Sequence, residues 1–285
     1  MGAFKQQCIA LRKQDYTLPE IVRITGRPKS SVHFHTQNIP LSAAKRRSIS
    51  ESSAARAREI ARKRRGVSAR FFKRFASWDR NLVCLVSHLI FDGEIGRGGC
   101  IYNNRNLALL NRVENCMKGI YLLEPKRYTD KFTGVQRISY FNVSLAIHIK
   151  EKSLELLESV CDFPKDLKRE FVRSFFDDEG CIDFRQKRNL RRIRGYQKNV
   201  DILHLVRKLL LDFDIQSRVV PPNEVVITGK ENLVRFRGEI NFSRGVRING
   251  KRSNSIWKQH LEKREILRRA IESYKPLGSN GVHRH

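Results

Sequence analysis

The chain has no apolar run approaching the length of a membrane-spanning helix. Its first residues lack the hydrophobic stretch of a secretory signal. Met1-Gly2 is followed by Gln6 where a myristoylation motif requires Ser or Thr. No membrane partner is expected. The six cysteines, Cys8, Cys84, Cys100, Cys116, Cys161 and Cys181, include no C-x-x-C pair, which argues against a zinc site. Several lie in apolar runs, as buried free thiols of a reducing cytoplasm do. Acidic residues are scarce: 29 Asp and Glu face 57 Lys and Arg, a formal net charge of +28 in 285 residues. That excess attracts polyanions whatever their sequence and points to nucleic acid as the partner.

Two segments carry acids in an unexpected place: Leu85-Val-Ser-His-Leu-Ile-Phe-Asp92-Gly93 and Val172-Arg-Ser-Phe-Phe-Asp-Asp-Glu179-Gly180. Each reads as a helix ending in a carboxylate, closed by a glycine able to serve as the left-handed residue after the helix. An acid in the last turn faces the negative end of the helix dipole and costs a little stability. Two such placements imply another task for Asp92 and Glu179, and holding a divalent cation between them is the evident one.

Residues 1–41 read as a small all-α domain. Lys5–Lys13 is a first helix. Thr17, with Glu20 three positions on, opens a second as a capping box, and Gly26 ends it. Lys29 to about Gln37 form a third helix around Val32. A short helix, a glycine-containing turn and a second helix bearing Lys, Ser and His is the layout of a helix-turn-helix, against the plainer reading of a three-helix packing module. Lys29, Ser30, Ser31, His33 and Thr36 would then face the DNA groove. Residues 42–77 form a basic connector rich in Ala and Ser, a solvated helix or flexible linker that can track a phosphate backbone.

From Trp78 the chain reads as a mixed α and β body in two halves, 78–163 and 164–274, with a flexible tail at 275–285. After Asp92 come a glycine-rich turn (Gly96-Arg-Gly-Gly99), a strand at Cys100–Tyr102, a helix over about Asn106–Gly119, strands near Tyr121–Arg127 and Arg137–Phe141, and a helix at Val143–Val160. After Glu179 the order recurs: a strand at Cys181–Phe184, a basic hairpin, a helix at Val200–Leu211, strands at Ser217–Val220 and Glu224–Thr228, and a helix at Asn232–Ile240. Tyr102-Asn103-Asn104 aligns by eye with Tyr196-Gln197-Lys198. The pattern is a weak αββαββα duplication.

These segments, their spacing and the repeated order resemble the LAGLIDADG (dodecapeptide) homing endonucleases in their two-repeat, single-chain form, over roughly residues 78–274. Tyr128–Val135 and Pro164–Gly180 are similar to archaeal members, and Asn232–Phe242 to a late helix of the family. The resemblance implies an α+β fold of two pseudo-symmetric αββαββα repeats behind an N-terminal helix-turn-helix, in a monomer with internal two-fold symmetry. It implies a cytoplasmic, archaeal protein. It places the family's motif acids on Asp92 and Glu179, as ligands to Mg²⁺ or Mn²⁺ over the minor groove of double-stranded DNA. Ser87 and Ser174 take the small-residue position that lets the two motif helices approach. Asp177 falls on an inner motif position, matched by Ile90 in the first half, and suits a structural or capping task; Asp178 is an extra acid. Gln197 takes a water-organising position with Asn103 as its counterpart, and Lys251 the position of a charge-stabilising lysine before the last helix. On the strands, Asn103, Arg137, Ser139, Arg185, Lys187, Arg192 and Arg194 would contact DNA, reading bases or gripping phosphates.

The implied reaction is site-specific, metal-dependent hydrolysis of both DNA strands. No intein is expected, since the chain shows no terminal splicing nucleophile. Two alternatives stay open: an intron maturase with intron RNA as partner, and a nuclease-inactive transcriptional regulator.

Overall fold

The computed structural model describes residues 2–68, 77–250 and 257–274. Contacts divide the chain into two units, Met1–Val67 and Ser68–His285. Lys251 and the expected tail at 275–285 lie outside the described residues. Among the described residues no helix is long and apolar enough to cross a membrane.

In the first unit, α1 (Gly2–Lys13), α2 (Leu18–Thr25) and α3 (Lys29–Thr36) pack around Cys8, Ile21 and Val32, all fully buried. Helices of eight residues do not hold alone in water, so this shared core and the caps stabilise them. The Thr17 N–H and hydroxyl both donate to Glu20 Oε2, at 2.6 and 2.7 Å. Gly26 ends α2 at φ 64°, a conformation glycine adopts at little cost. The connector is helical: α4 runs Ala43–Ser68, and none of its residues up to Ile60 is buried.

The second unit repeats one order twice. The first repeat is α5 (Arg80–Phe91), β1 (Gly93–Gly96), β2 (Gly99–Asn104), α6 (Leu107–Tyr121), β3 (Lys126–Thr129), β4 (Gln136–Tyr140) and α7 (Val143–Ser159). The second is α8 (Lys165–Glu179), β5 (Gly180–Arg185), β6 (Leu190–Tyr196), α9 (Val200–Leu211), β7 (Ser217–Val220), β8 (Glu224–Thr228) and α10 (Lys230–Glu239), followed by α11 (Lys263–Glu272). Each sheet is antiparallel, in the orders β1-β2-β4-β3 and β5-β6-β8-β7. This is the expected αββαββα order, with three local corrections. The glycine-rich stretch after Asp92 is strand β1 as well as turn. Tyr121 ends α6 rather than opening a strand, because Leu109, Leu110, Val113, Met117, Ile120 and Tyr121 form one continuous buried helical stripe. The basic hairpin carries a full strand, β6.

Helices α5 and α8 pack against each other at the centre. Helix α5 is buried on nearly all sides, as a helix with apolar residues around most of its circumference requires. Ser87 and Ser174 are completely buried, small enough to leave room for close packing. Phe91 meets Phe171 and Phe175 edge-to-face at 5.4 and 5.3 Å. A buried ionic tie also joins the repeats: Arg112 of α6 pairs with Glu170 of α8 and donates to Ser243. All six cysteines are free.

Candidate functional site

Asp92 and Glu179 stand at the adjoining ends of α5 and α8, where the chain turns directly into β1 and β5. That turn explains the following glycines differently from the sequence expectation. Neither is left-handed; Gly180 has φ −89° and ψ 149°. What each supplies is closeness. A Cβ on Gly93 would sit 2.5 Å from the Leu89 carbonyl oxygen, and one on Gly180 would be driven into that of Phe176.

Around these acids the two repeats diverge. Asp92 Oδ2 accepts from Asn104 Nδ2 at 2.9 Å. Glu179 Oε1 lies 3.5 Å from Gln197 Nε2, a long and weak contact. Burial, then the Asp178 charge, push the Asp92 carboxyl up to about 7. Burial, then the Asp92 and Asp178 charges, push Glu179 up to about 8. Two half-buried carboxylates, both kept protonated near neutral pH chiefly by burial, form a site that a cation stabilises. Among the described residues no three His, Cys, Asp or Glu side chains converge as a preformed metal cage. Two carboxylates with flanking amides fit Mg²⁺, a hard ion that binds through one or two carboxylates and keeps waters for the rest of its shell.

Strand register corrects one expected equivalence. Gly93 pairs with Tyr102 and Gly180 with Gly195, so Tyr102 corresponds to Gly195 and Asn104, not Asn103, corresponds to Gln197. Asn103 sits one residue earlier, on the opposite face of β2, and accepts from Arg137 Nε at 2.8 Å.

The site holds one lysine that sequence reasoning missed. Lys263, the first residue of α11, is 6% exposed, and its Nζ donates to the Asp177 and Phe176 carbonyls at 2.7 and 3.2 Å. It thereby caps the last turn of α8, whose carbonyls have no partner within the helix. Burial lowers its pKa, against the opposing charges of Asp177, Asp178 and Asp92. The signal was available: a lysine in a first helical turn opposes its own helix dipole, just as Asp92 and Glu179 oppose theirs. Asp177 is fully buried, and its Oδ1 accepts from the Ser243 N–H at 2.8 Å. Asp178 reaches across the interface. Its Oδ2 lies 2.7 Å from His88 Nδ1 and its Oδ1 accepts from the Tyr102 hydroxyl at 2.6 Å. Burial alone would lower the His88 pKa, but the charges and hydrogen bonds of Asp178 and Cys84 together outweigh it, and the net shift is upward.

A cavity of about 1340 Å³ opens beside these groups, walled by Asp92, Asn104, Asp178, Asp183, Arg194 and Lys263 among others. Glu179 is not in its wall. On the outer face of the second sheet, Arg192 and Arg194 are not free. Asp183 pairs with Arg192 at 3.0 Å and with Arg194 at 2.8 Å, and Arg194 also pairs with Glu224 at 2.5 Å. Arg185 and Lys187 are exposed. Ser139 shares the outer face of the first sheet but is 2% exposed, so it is withdrawn from the set of contact residues. In the first unit, Lys29, Ser30 and His33 are exposed and Ser31 partly so. Thr36 points inward instead, 3% exposed and donating to the Val32 carbonyl. Phe34, which the sequence reading passed over, is 69% exposed on the same helix.

Residues 166–241, from α8 to the end of α10, match the model of the LAGLIDADG-like domain. The second repeat is thus a LAGLIDADG-like domain. Solved structures with a similar course include the N-terminal LAGLIDADG domain of DUF199/WhiA, at 18% identity over 60% of this chain and 88% of that one, TM-score 0.45. Full-length DUF199/WhiA from Thermatoga maritima is 17% identical over 72% of this chain and 65% of that one, TM-score 0.47. The homing endonuclease I-DmoI in complex with DNA and Ca is 15% identical over 58% of this chain and 91% of that one, TM-score 0.44. No curated protein matches the chain.

Proposed function

We propose that this protein is a divalent-metal-dependent endonuclease that cuts both strands of a double-stranded DNA site. The observation carrying this reading is the pair of half-buried carboxylates, Asp92 and Glu179, each at the end of a central helix, coupled strongly enough for Asp92 to raise Glu179. They lie in a chain of net charge +28. Asp92 and Glu179 would hold Mg²⁺ or Mn²⁺, which when bound acidifies water and neutralises charge on the phosphate oxygens. Asn104 and Gln197 orient the two carboxylates from matching strand positions. Lys263, or Lys251 as the sequence expectation has it, offsets negative charge developing on the phosphate. The outward arginines of β6, with Arg137, Asn103, Arg185 and Lys187, grip and read the duplex. The exposed residues of α3 (Lys29, Ser30, Ser31 and His33) make a second contact in the manner of a helix-turn-helix.

The test is a cleavage selection. Protein with Mg²⁺ is incubated with a randomised duplex library and the cut ends are sequenced, beside an Asp92→Asn/Glu179→Gln control. The expected result is a long, pseudo-symmetric site cut by the wild type alone. Tight binding of one duplex without cutting would replace this reading with that of a DNA-binding regulator. Preference for structured RNA would replace it with an intron maturase.

A further inference from the structure

We propose that Asp178 is a positioning residue through which the second repeat braces the first repeat's half of the site, leaving the two halves mechanically unequal. The inference rests on the reading of Asp92 and Glu179 as cation-binding carboxylates.

Asp178 belongs to α8, yet its partners His88, Tyr102 and Asn104 all belong to the first repeat. The side chains of Asp178 and His88 are fully buried. Asp178 Oδ1 takes the Tyr102 hydroxyl at 2.6 Å, and that hydroxyl oxygen and Asp178 Oδ1 lie 3.2 and 3.5 Å from Asn104 Nδ2. The same amide donates to Asp92 at 2.9 Å, while Asn104 Oδ1 accepts from the Asn106 N–H at 2.9 Å. Both ends of the Asn104 amide are therefore fixed, and the carboxylate it holds is fixed with it.

The second half has no such brace. Aligning the helix ends on Asp92 and Glu179 makes Phe91 the counterpart of Asp178 and Phe175 the counterpart of His88. Those two counterparts also touch, as an edge-to-face aromatic pair at 5.3 Å. The counterpart of Tyr102 is Gly195, where a Cβ would collide with the Phe175 ring. No hydroxyl is present there, and both amide ends of Gln197 make only 3.5 Å contacts, to Glu179 and to the Asn199 N–H. One packing problem thus has two solutions in one molecule, apolar on one side and ionic on the other. Burying an ion pair gains little over a well-packed apolar pair. The aromatic solution shows that packing did not require Asp178. What Asp178 adds is the hold on Tyr102 and Asn104.

The experiment is Mn²⁺ titration of the full-length protein, with free Mn²⁺ read by electron paramagnetic resonance and folding read by thermal unfolding. Asp178→Asn and Asn104→Ala should each weaken Mn²⁺ binding by about tenfold, as outer-shell substitutions at metal sites do. Their double variant should be no weaker than either, since they act along one chain of contacts. The triple change His88→Phe/Tyr102→Gly/Asp178→Phe copies the aromatic solution, with the glycine it needs, and covers the case in which Asp178→Asn folds poorly. It should keep the unfolding temperature while losing the same affinity. Wild-type Mn²⁺ affinity in that triple variant, or fully additive losses in the double variant, would overturn the proposal. A wild-type protein that binds no Mn²⁺ would instead overturn the carboxylate reading beneath it, and this proposal with it.

Discussion

The two repeats share strand order, helix order and the placement of a carboxylate at the end of each central helix, yet they share almost no surface chemistry. Sheet two carries an ion lattice, Arg192–Asp183–Arg194–Glu224, on its outer face. Sheet one carries the amide–guanidinium pair Asn103–Arg137 and a fully exposed Phe132 at the tip between β3 and β4. The difference teaches that topology is set by burying the inner faces of the sheets, while the outer faces are free to diverge. On the proposed reading, each repeat would then meet its own half of an asymmetric target.

The largest effect should come from removing the acids singly. Asp92→Asn and Glu179→Gln should each abolish cutting of one strand, leaving nicked duplex with the nick on opposite strands in the two variants. DNA affinity should stay within about tenfold, because the arginines proposed to grip phosphate are untouched. Denaturing electrophoresis of end-labelled strands reads this directly. A nick on the same strand in both variants would refute the assignment of one acid to one strand.

Next in size is the tie between repeats. Glu170→Ala leaves the partly buried Arg112 with only the more distant Asp177 carboxylate, 3.6 Å away, and the cost expected is about 1–3 kcal/mol in chemical unfolding. Glu272→Ala breaks the Arg268–Glu272 pair at the surface and should cost about 0–1 kcal/mol. Equal losses would mean that the buried tie does not hold the repeats together.

The fold was legible in the sequence because it rests on periodicity. The mostly apolar run Leu82–Leu89 and the phenylalanines of α8 announce central helices, and turn residues bracket the strands. The site was legible only where a residue broke a local rule, as Asp92 and Glu179 do by opposing their helix dipoles. Asn104 was misplaced by one because single-residue register is fixed by strand pairing, which a one-chain sequence does not display. Lys263 was passed over because 84 residues separate it from Glu179, and its contact with α8 exists only after folding. Asp178 looked like surplus charge because its partners all lie in the other repeat.

A third prediction concerns pH and needs no knowledge of the target. The folded-state carboxyls of Asp92 and Glu179, at about 7 and about 8, lie above their ordinary values of 3.8 and 4.5. Between about pH 4 and pH 8 the folded protein therefore binds more protons than the unfolded chain, and its stability falls as pH rises. Without divalent metal the unfolding temperature should drop across that window. Saturating Mg²⁺ should reverse the trend at the upper end, since the cation favours the ionised pair. Asp92→Asn/Glu179→Gln should flatten both responses. A metal-free profile that instead rises from pH 5 to pH 8 would show that these two acids do not dominate the linkage.

The smallest effect expected lies on the sheets, and it probes the opening contrast most directly. In sheet two the Asp183 carboxylate spaces Arg192 and Arg194 along β6, directly across the strand pair from Arg192. A guanidinium held by a carboxylate is aimed, which favours bidentate contact with a base edge over loose contact with phosphate. Asp183→Asn removes that hold and one negative charge. Non-specific DNA binding should tighten by a few-fold and grow more salt-dependent, while preference for the selected site over random duplex falls. In sheet one Arg137 is held only by a neutral amide, so Asn103→Ala should change the salt slope very little. If Asp183→Asn and Asn103→Ala behave alike, the ion lattice is merely structural, and the two outer faces treat DNA in the same way despite their different chemistry.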